Sequence, residues 1–397
     1  MHRLIVTAIA CFCLVPGFAQ HQTDKLARYS LDFTLSQTNF VDSIAIEWTG
    51  GQVYVPVEIN GKRYRFLFDT GAGQTLIFSD TPIDGCQSAG QIVSVDAIGR
   101  RDTVTMTTLP PLTLGNITFT GCQATVQQRA VHRNNLDGII GFDIINKGLN
   151  AKIDVRAGLL ILSDRRDFFD TEAGYEARYR LHYHVPYIIL NPFAKYKTPT
   201  LFDTGSRQFY VINDNQLDEA LEDNTCLPGL QVDGRVRGRY AIGHSGTEPE
   251  GDVTFLTLNA MKWGDFLFSD VSAMTTQGGS HLGAAVLSYG SVTFNPRRRR
   301  AKFQPFDNAT FCSVANKPLD IAFIAVDGLP AVGLVREGSD AFQLGLRYGD
   351  IILSIDNRPV RSFSQFIAWP FEKGRSYRFT VRTRSGETRQ VEWVRLP

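Results

Sequence analysis

The chain has 397 residues, 43% of them hydrophobic and 20% charged. That balance excludes a disordered chain and suits a folded protein of roughly two or three domains. A formal net charge of +1 gives no field to gather nucleic acid or an acidic membrane, so neither is expected as a partner.

The N-terminus reads as an address. Met1-His2-Arg3 is a short basic start, and Leu4 to Phe18 is apolar apart from Thr7, Pro16 and Gly17. Gly17-Phe18-Ala19 is a small-x-small cleavage site, which predicts a signal peptide at 1–19 and a mature chain from Gln20. The run is too short for a transmembrane helix, and no later stretch of the mature chain spans a membrane. Export to a periplasm or beyond is expected. The alternative is a lipoprotein anchored through Cys11 behind Ala8-Ile9-Ala10. Cys86, Cys122, Cys226 and Cys312 then remain in an oxidising compartment. Three pairings are open to them, with Cys86–Cys122 preferred because both fall in one lobe; four free core thiols are the other reading.

Beyond the leader no segment keeps a helical period. Short runs such as Val53-Tyr54-Val55-Pro56-Val57-Glu58-Ile59 and Ile117-Thr118-Phe119, punctuated by Gly, Asn and Asp, predict a mostly β protein. Leu-Phe-Asp-Thr-Gly occurs at 67–71 and again at 201–205. A Val-Pro strand precedes each copy, Val55-Pro56 and Val185-Pro186. An apolar element ending in glycine follows each: Ile139-Ile140-Gly141 lies 72 positions past Asp69, and His281-Leu282-Gly283 lies 80 past Asp203. Closing strands end near Asp154 and Asn295. This is the pattern of a duplicated β lobe.

A single Asp-Thr-Gly is a turn signal. Two copies, each behind an apolar strand and ahead of apolar residues, point to paired carboxylates. Hydrolysis of a peptide bond by water needs a base for the water and an acid for the leaving amine. Asp69 and Asp203 can do both, because two adjacent carboxyls share one proton rather than both ionise. Thr70, Gly71, Thr204, Gly205 and Ser206 are expected to position them. Glycine lets the two loops turn sharply and approach closely, and the threonine hydroxyls can reach the opposite loop. The chemistry calls for no metal and no organic cofactor.

Residues 44 to about 305 resemble the pepsin/retropepsin superfamily of aspartic peptidases, in its bacterial periplasmic-type form. Leu67-Phe68-Asp69-Thr70-Gly71-Ala72, Leu201-Phe202-Asp203-Thr204-Gly205-Ser206 and Ile139-Ile140-Gly141 carry the resemblance. His281-Leu282-Gly283 is a degraded match. The resemblance implies two small β-barrel lobes, 44–165 and 166–308, with a polypeptide substrate in the cleft between them. It also implies endopeptidase activity with Asp69 and Asp203 as catalytic residues. Ala72 stands where pepsins carry a hydroxyl residue and retropepsins carry alanine, which predicts activity at mildly acidic to neutral pH. The flap expected at about Val93 to Met106, with Gly99 at its tip, holds no tyrosine. His281 and Arg207 in the second lobe keep an alternative open: a non-catalytic peptide-binding scaffold on the same fold.

Two further patterns read as structural. His182-x-His184 puts two imidazoles on one strand face with no third ligand nearby, so no metal site is predicted. Arg297 to Arg300, with Lys302, is expected at a solvated turn or lobe-edge strand.

A composition shift after about Asp307 marks a last domain at 313–397. Its stretch from Gly338-Ser339-Asp340-Ala341 to Gly345-Leu346-Arg347-Tyr348-Gly349-Asp350-Ile351 resembles a PDZ domain of the bacterial type, a small α+β barrel. Such domains bind an extended peptide as an added strand and hold its terminal carboxylate with backbone amides. The resemblance places that loop at Leu319, Asp320, Ile321, Ala322 and Phe323. It has no glycine, so a docking or regulatory module that holds no free C-terminus stays open.

Overall fold

The structure is a computed structural model and describes residues 29–95, 101–129, 136–222, 229–243, 246–372 and 374–394. The predicted leader, Cys11, Gly99 and Cys226 lie outside these residues. The described chain is mostly strand, with a few short helices. No helix among the described residues is long and apolar enough to cross a membrane.

Residues 47 to 140 and 175 to 283 repeat one strand plan. In the first half Lys62–Phe68 runs parallel to Gly138–Ile140, which pairs on its other side with Leu76–Phe78. In the second half Tyr196–Asp203 runs parallel to His281–Gly283, which pairs with Tyr210–Asn213. Registers match: Phe68 faces Ile140, and Phe202 faces Leu282. Each plan continues through a parallel strand (Gln123–Gln127; Val271–Thr276) into a hairpin. The hairpins are Gln87–Val95 with Arg101–Thr108, and Leu230–Gly238 with Gly251–Leu258. Lys62 and Arg63 are exposed, whereas Phe66, Leu67 and Phe68 are buried. The strand thus enters the core and delivers Asp69 at its buried end.

The closing strands of the two halves form one sheet beneath them. Asn150–Asp154 pairs with Leu159–Ser163 on one side and with Gly290–Asn295 of the second half on the other. Val41–Ala45 completes one edge, and Arg300–Pro305 with Tyr175–His182 extends the other. Phe142, Tyr179, Phe202 and Phe294 join the halves above it, with ring centroids 5.3–6.1 Å apart. Each fully buried ring contributes about 1.5–3 kcal/mol, so this seam gives the two motif loops a rigid floor.

The preferred Cys86–Cys122 pairing does not form: Cys86, Cys122 and Cys312 are free thiols. The reason is sheet order. Gln87 and Gln123, next to the two cysteines, both pair with Thr108 from opposite sides. Two strand spacings, about 9.6 Å, exceed the Cα separation a disulfide can bridge. Arg297, Arg298 and Arg299 lie in a hairpin turn and Arg300 opens the strand after it; Arg298 pairs with Asp167 and Asp170 at 2.9 Å and Arg300 with Glu176.

Beyond residue 313 a separate sheet has its own core, including Val332, Leu346, Ile352, Phe366, Phe379 and Val381. Its strands run in the order Ile321–Val326, Leu329–Val335, Ile351–Ile355, Ser376–Arg382, Thr388–Val394. Ser339 caps the short helix Asp340–Gln343 by accepting the Phe342 N–H, and Ser362 caps Phe363–Ile367 likewise through Gln365.

Candidate active site

The two Asp-Thr-Gly turns meet at the junction of the halves. Asp69 is buried at 7% exposure and Asp203 is half-buried. Gly71 N donates to Asp69 Oδ1 at 2.8 Å; Gly205 N donates to Asp203 Oδ1 at 2.9 Å, joined by Ser206 N at 3.3 Å. The loops interlock through their threonines. Thr70 Oγ1 donates to Phe202 O and Thr204 Oγ1 to Phe68 O, both at 2.6 Å. Each hydroxyl also accepts the other threonine's backbone N–H.

Glycine is required at both turns by this closeness. A Cβ on Gly71 would lie 2.5 Å from Asp203 Oδ1, and one on Gly205 would press on the Asp69 carboxyl. Each carboxyl therefore rests against the other loop's glycine, which brings the two acids to one place. A second glycine pair locks the loops from behind. Gly141 lies under Ala72 O and Gln74 O, and Gly283 under Ser206 O and Gln208 O, so a side chain at either would displace the loop. Phe142 N then donates to Ala72 O at 2.7 Å, and Ala284 N to Ser206 O at 2.8 Å. His281-Leu282-Gly283 thus does in the second half what Ile139-Ile140-Gly141 does in the first, because the supporting contacts are backbone contacts.

Around the motifs lie groups that local sequence did not single out. Gln52 is buried; its Nε2 donates to Gly205 O at 2.7 Å, and its Oε1 accepts from Arg207 Nε and Nη2. A polar residue heading the apolar run Val53 to Val57 was the available signal. Tyr54 and Tyr187 hold matching places, opposite Leu67 and Leu201. Burial, with the charge of Asp203 nearby, holds the Tyr187 phenol above its ordinary range. His182 and His184 go to different aromatic neighbours: His182 meets Tyr183 and Tyr187, and His184 stacks on Tyr29. Burial keeps the His281 imidazole below its usual range, with Nδ1 3.2 Å from Gly279 O. Val93–Val95 and Arg101–Met106 lie on the two strands of the first half's hairpin.

The residues named for the C-terminal loop are divided. Asp320 pairs with Arg336 at 2.9 Å, and Phe323 packs on Phe366 at 4.8 Å within its own unit. Ile321 begins the edge strand. Leu319 and Ala322 instead join Leu334 in a cluster with Val253, Phe255 and Met274 of the second half.

The aspartyl protease family profile matches residues 55–144. That span includes Asp69-Thr70-Gly71 and Ile139-Ile140-Gly141 and ends before Asp203, and it supports an aspartyl protease-like fold. No curated protein matches the chain. Among solved structures, the basic 7S globulin from soybean aligns at 9% identity with a TM-score of 0.40, over 66% of this chain and 94% of the globulin.

Proposed function

We propose that the protein is an exported aspartic endopeptidase whose catalytic residues are Asp69 and Asp203. The observation that carries this reading is the reciprocal Thr70–Thr204 interlock, which joins two Asp-Thr-Gly turns so that each carboxyl abuts the other's glycine. The match to the aspartyl protease family over the first turn supports it.

The pair carries one proton, since adjacent carboxylates resist double ionisation. The ionised member accepts a proton from a water held between the two while the water oxygen attacks the scissile carbonyl carbon. The protonated member gives its proton to the carbonyl oxygen. The tetrahedral intermediate then collapses. The C–N bond breaks, one hydroxyl proton returns to a carboxylate, and the other carboxyl protonates the departing nitrogen. Thr70, Gly71, Thr204, Gly205 and Ser206 hold the geometry without touching the reacting atoms.

The substrate is an extended polypeptide between the halves. The C-terminal unit acts as a PDZ-type docking module for a substrate or partner chain; its motif, two short capped helices and edge strand Ile321–Val326 support this. The leader at 1–19 supports export. The test is to purify residues 20–397 and assay cleavage of unfolded proteins from pH 3 to 8. Turnover is expected, and it should be lost in both Asp69→Asn and Asp203→Asn. Activity unchanged in either variant would refute the pair.

A further inference from the structure

The rims of the two motif loops are chemically unlike. Four residues past the first aspartate stands Gly73; four past the second stands Arg207. Each lies against a two-residue hairpin turn of the other half. A Cβ on Gly51, in the Gly50-Gly51 turn, would sit 3.8 Å from the Arg207 Cβ. A Cβ on Gly73 would sit 2.7 Å from Tyr183 O, in the Tyr183-His184 turn. Arg207 and Gly73 are each two residues, at most about 7 Å of chain, beyond their motif glycines. The repeat that relates the halves therefore sets Arg207 and Tyr183 at opposite ends of the Asp69–Asp203 pair.

Both ends are built rather than loose. Arg207 is exposed, yet Gln52 Oε1 accepts from its Nε at 3.1 Å and its Nη2 at 2.9 Å, and Gln52 itself is tied to Gly205 O. The partner is a neutral amide, which leaves the positive charge for an anion. At the other end Tyr183 and His184 have φ of 48° and 68°. Left-handed backbone costs such residues about 1–3 kcal/mol each, and two-residue hairpins normally use Asn-Gly there. Contacts hold the strained turn in place. His184 stacks on Tyr29 at 3.6 Å, Asn146 Nδ2 donates to His184 O at 2.7 Å, and Tyr183 O closes on Gly73. The result is a tyrosine kept 52% exposed beside His182, its hydroxyl accepting from Arg101 Nη2 of the first half's hairpin at 3.4 Å.

We propose that these are two opposed specificity subsites. Arg207 takes an acidic side chain on one side of the scissile bond, and Tyr183 with His182 takes an aromatic or apolar side chain on the other. An extended peptide rises about 3.4 Å per residue, so each subsite falls roughly two or three residues from the bond cut. The assignment of a cut bond rests on the peptidase reading; the side-chain preferences are binding properties and are measured apart from it.

The experiment is fluorescence anisotropy of labelled extended peptides on the mature chain carrying Asp69→Asn, with Asp203→Asn as a second non-cleaving form. A peptide with Glu at the Arg207 end should bind about 3- to 10-fold tighter than its Gln twin. Arg207→Gln should bring that ratio to about 1, and Arg207→Glu should reverse it in favour of Lys. A Phe at the other end should be preferred to Ser by about fivefold or more, and Tyr183→Asn, which suits the left-handed turn and so should fold, should remove the preference. A Glu/Gln ratio of 1 in the parent, or one unchanged by Arg207→Gln, overturns the cationic subsite. A Phe/Ser ratio untouched by Tyr183→Asn overturns the aromatic one. Both preferences in a parent chain that cleaves nothing would sink the peptidase reading alone, whereas cleavage without either preference would sink this proposal alone.

Discussion

Thr70 and Thr204 complete each other's hydrogen bonding across the junction of the two halves. Each accepts the other's backbone N–H, at 3.0 and 3.1 Å, and each donates to the carbonyl of the phenylalanine before the other's aspartate. Thr70→Ala leaves Thr204 N–H and Phe202 O without these partners in a buried place. At about 1–3 kcal/mol for each of these two unsatisfied groups, the loss should be about 2–6 kcal/mol in urea unfolding. Thr70→Ser keeps the hydroxyl and should lose less than about 1.5 kcal/mol. Equal losses in the two variants would show that the hydroxyl is not what joins the halves.

The motif glycines make a different prediction, because their contact is with the carboxyls themselves. Gly71→Ala would put a methyl 2.5 Å from Asp203 Oδ1, well inside contact distance. The carboxyl must move by roughly 1 Å, and displacement on that scale costs about 10²-fold in rate. Circular dichroism and kcat measured together should show a folded protein with little turnover. Near-parent kcat would mean that the carboxyls need not meet where they do.

These two sites were readable in the sequence because their chemistry is local: the triplet, the strand behind it and the supporting glycine are all short segments. His281-Leu282-Gly283 looked weakened by its side chains, yet it pairs at the same register as its partner element, since backbone contacts and a glycine define it. Long-range pairings left no such trace. Nothing in residues 150–154 announces that they bond to 290–295 of the other half, nor that Gln52 will reach across 155 positions to Arg207. The cysteine pairing failed for the same reason, because sheet order, not proximity in the chain, decided which residues are neighbours.

Asp143 should give the protein a pH dependence of its own. It is buried behind the first motif loop, where Thr75 N and Thr75 Oγ1 donate to its two oxygens at 3.0 and 3.1 Å. Burial outweighs these bonds and pushes its carboxyl up to about 6. An unfolded aspartate ionises near pH 3.9, so from about pH 4 to 6 the folded state holds a proton that the unfolded state has released. Stability from this group is therefore greatest at low pH and falls as pH rises, by about 3 kcal/mol in all. Tyr29 and Cys122, both held above their usual ranges mainly by burial, stay neutral throughout the window. Unfolding free energies at pH 4, 5, 6 and 7 should decline less steeply in Asp143→Asn than in the parent. Parallel slopes would remove Asp143 as the cause.

A seam joins the second half to the C-terminal unit. Arg239 N donates to Gly333 O at 2.7 Å, and Gly238 lies so close that a Cβ there would sit 2.7 Å from both Gly333 O and Leu334 Cδ1. Beside this contact Leu334 enters the cluster with Val253, Phe255 and Met274, and Tyr348 Oη donates to Glu250 Oε2 at 2.7 Å. Glu250 also pairs with Arg237 at 2.6 Å, and Tyr348 and Arg237 together hold its carboxyl below the usual range. Gly238→Val presses on Gly333 and Leu334 at the seam but on no member of the C-terminal unit's own core, so it should force the units apart and let the C-terminal sheet melt separately. Calorimetry is expected to resolve two transitions in that variant. Tyr348→Phe removes a single hydrogen bond at the rim and should lower stability by only about 1 kcal/mol. Leu230–Gly238 is the second half's counterpart of Gln87–Val95, one strand of the first half's hairpin, so loosening it should also raise KM for a polypeptide while kcat changes little. A Gly238→Val protein with the parent's melting profile would show that the seam is contact without cohesion.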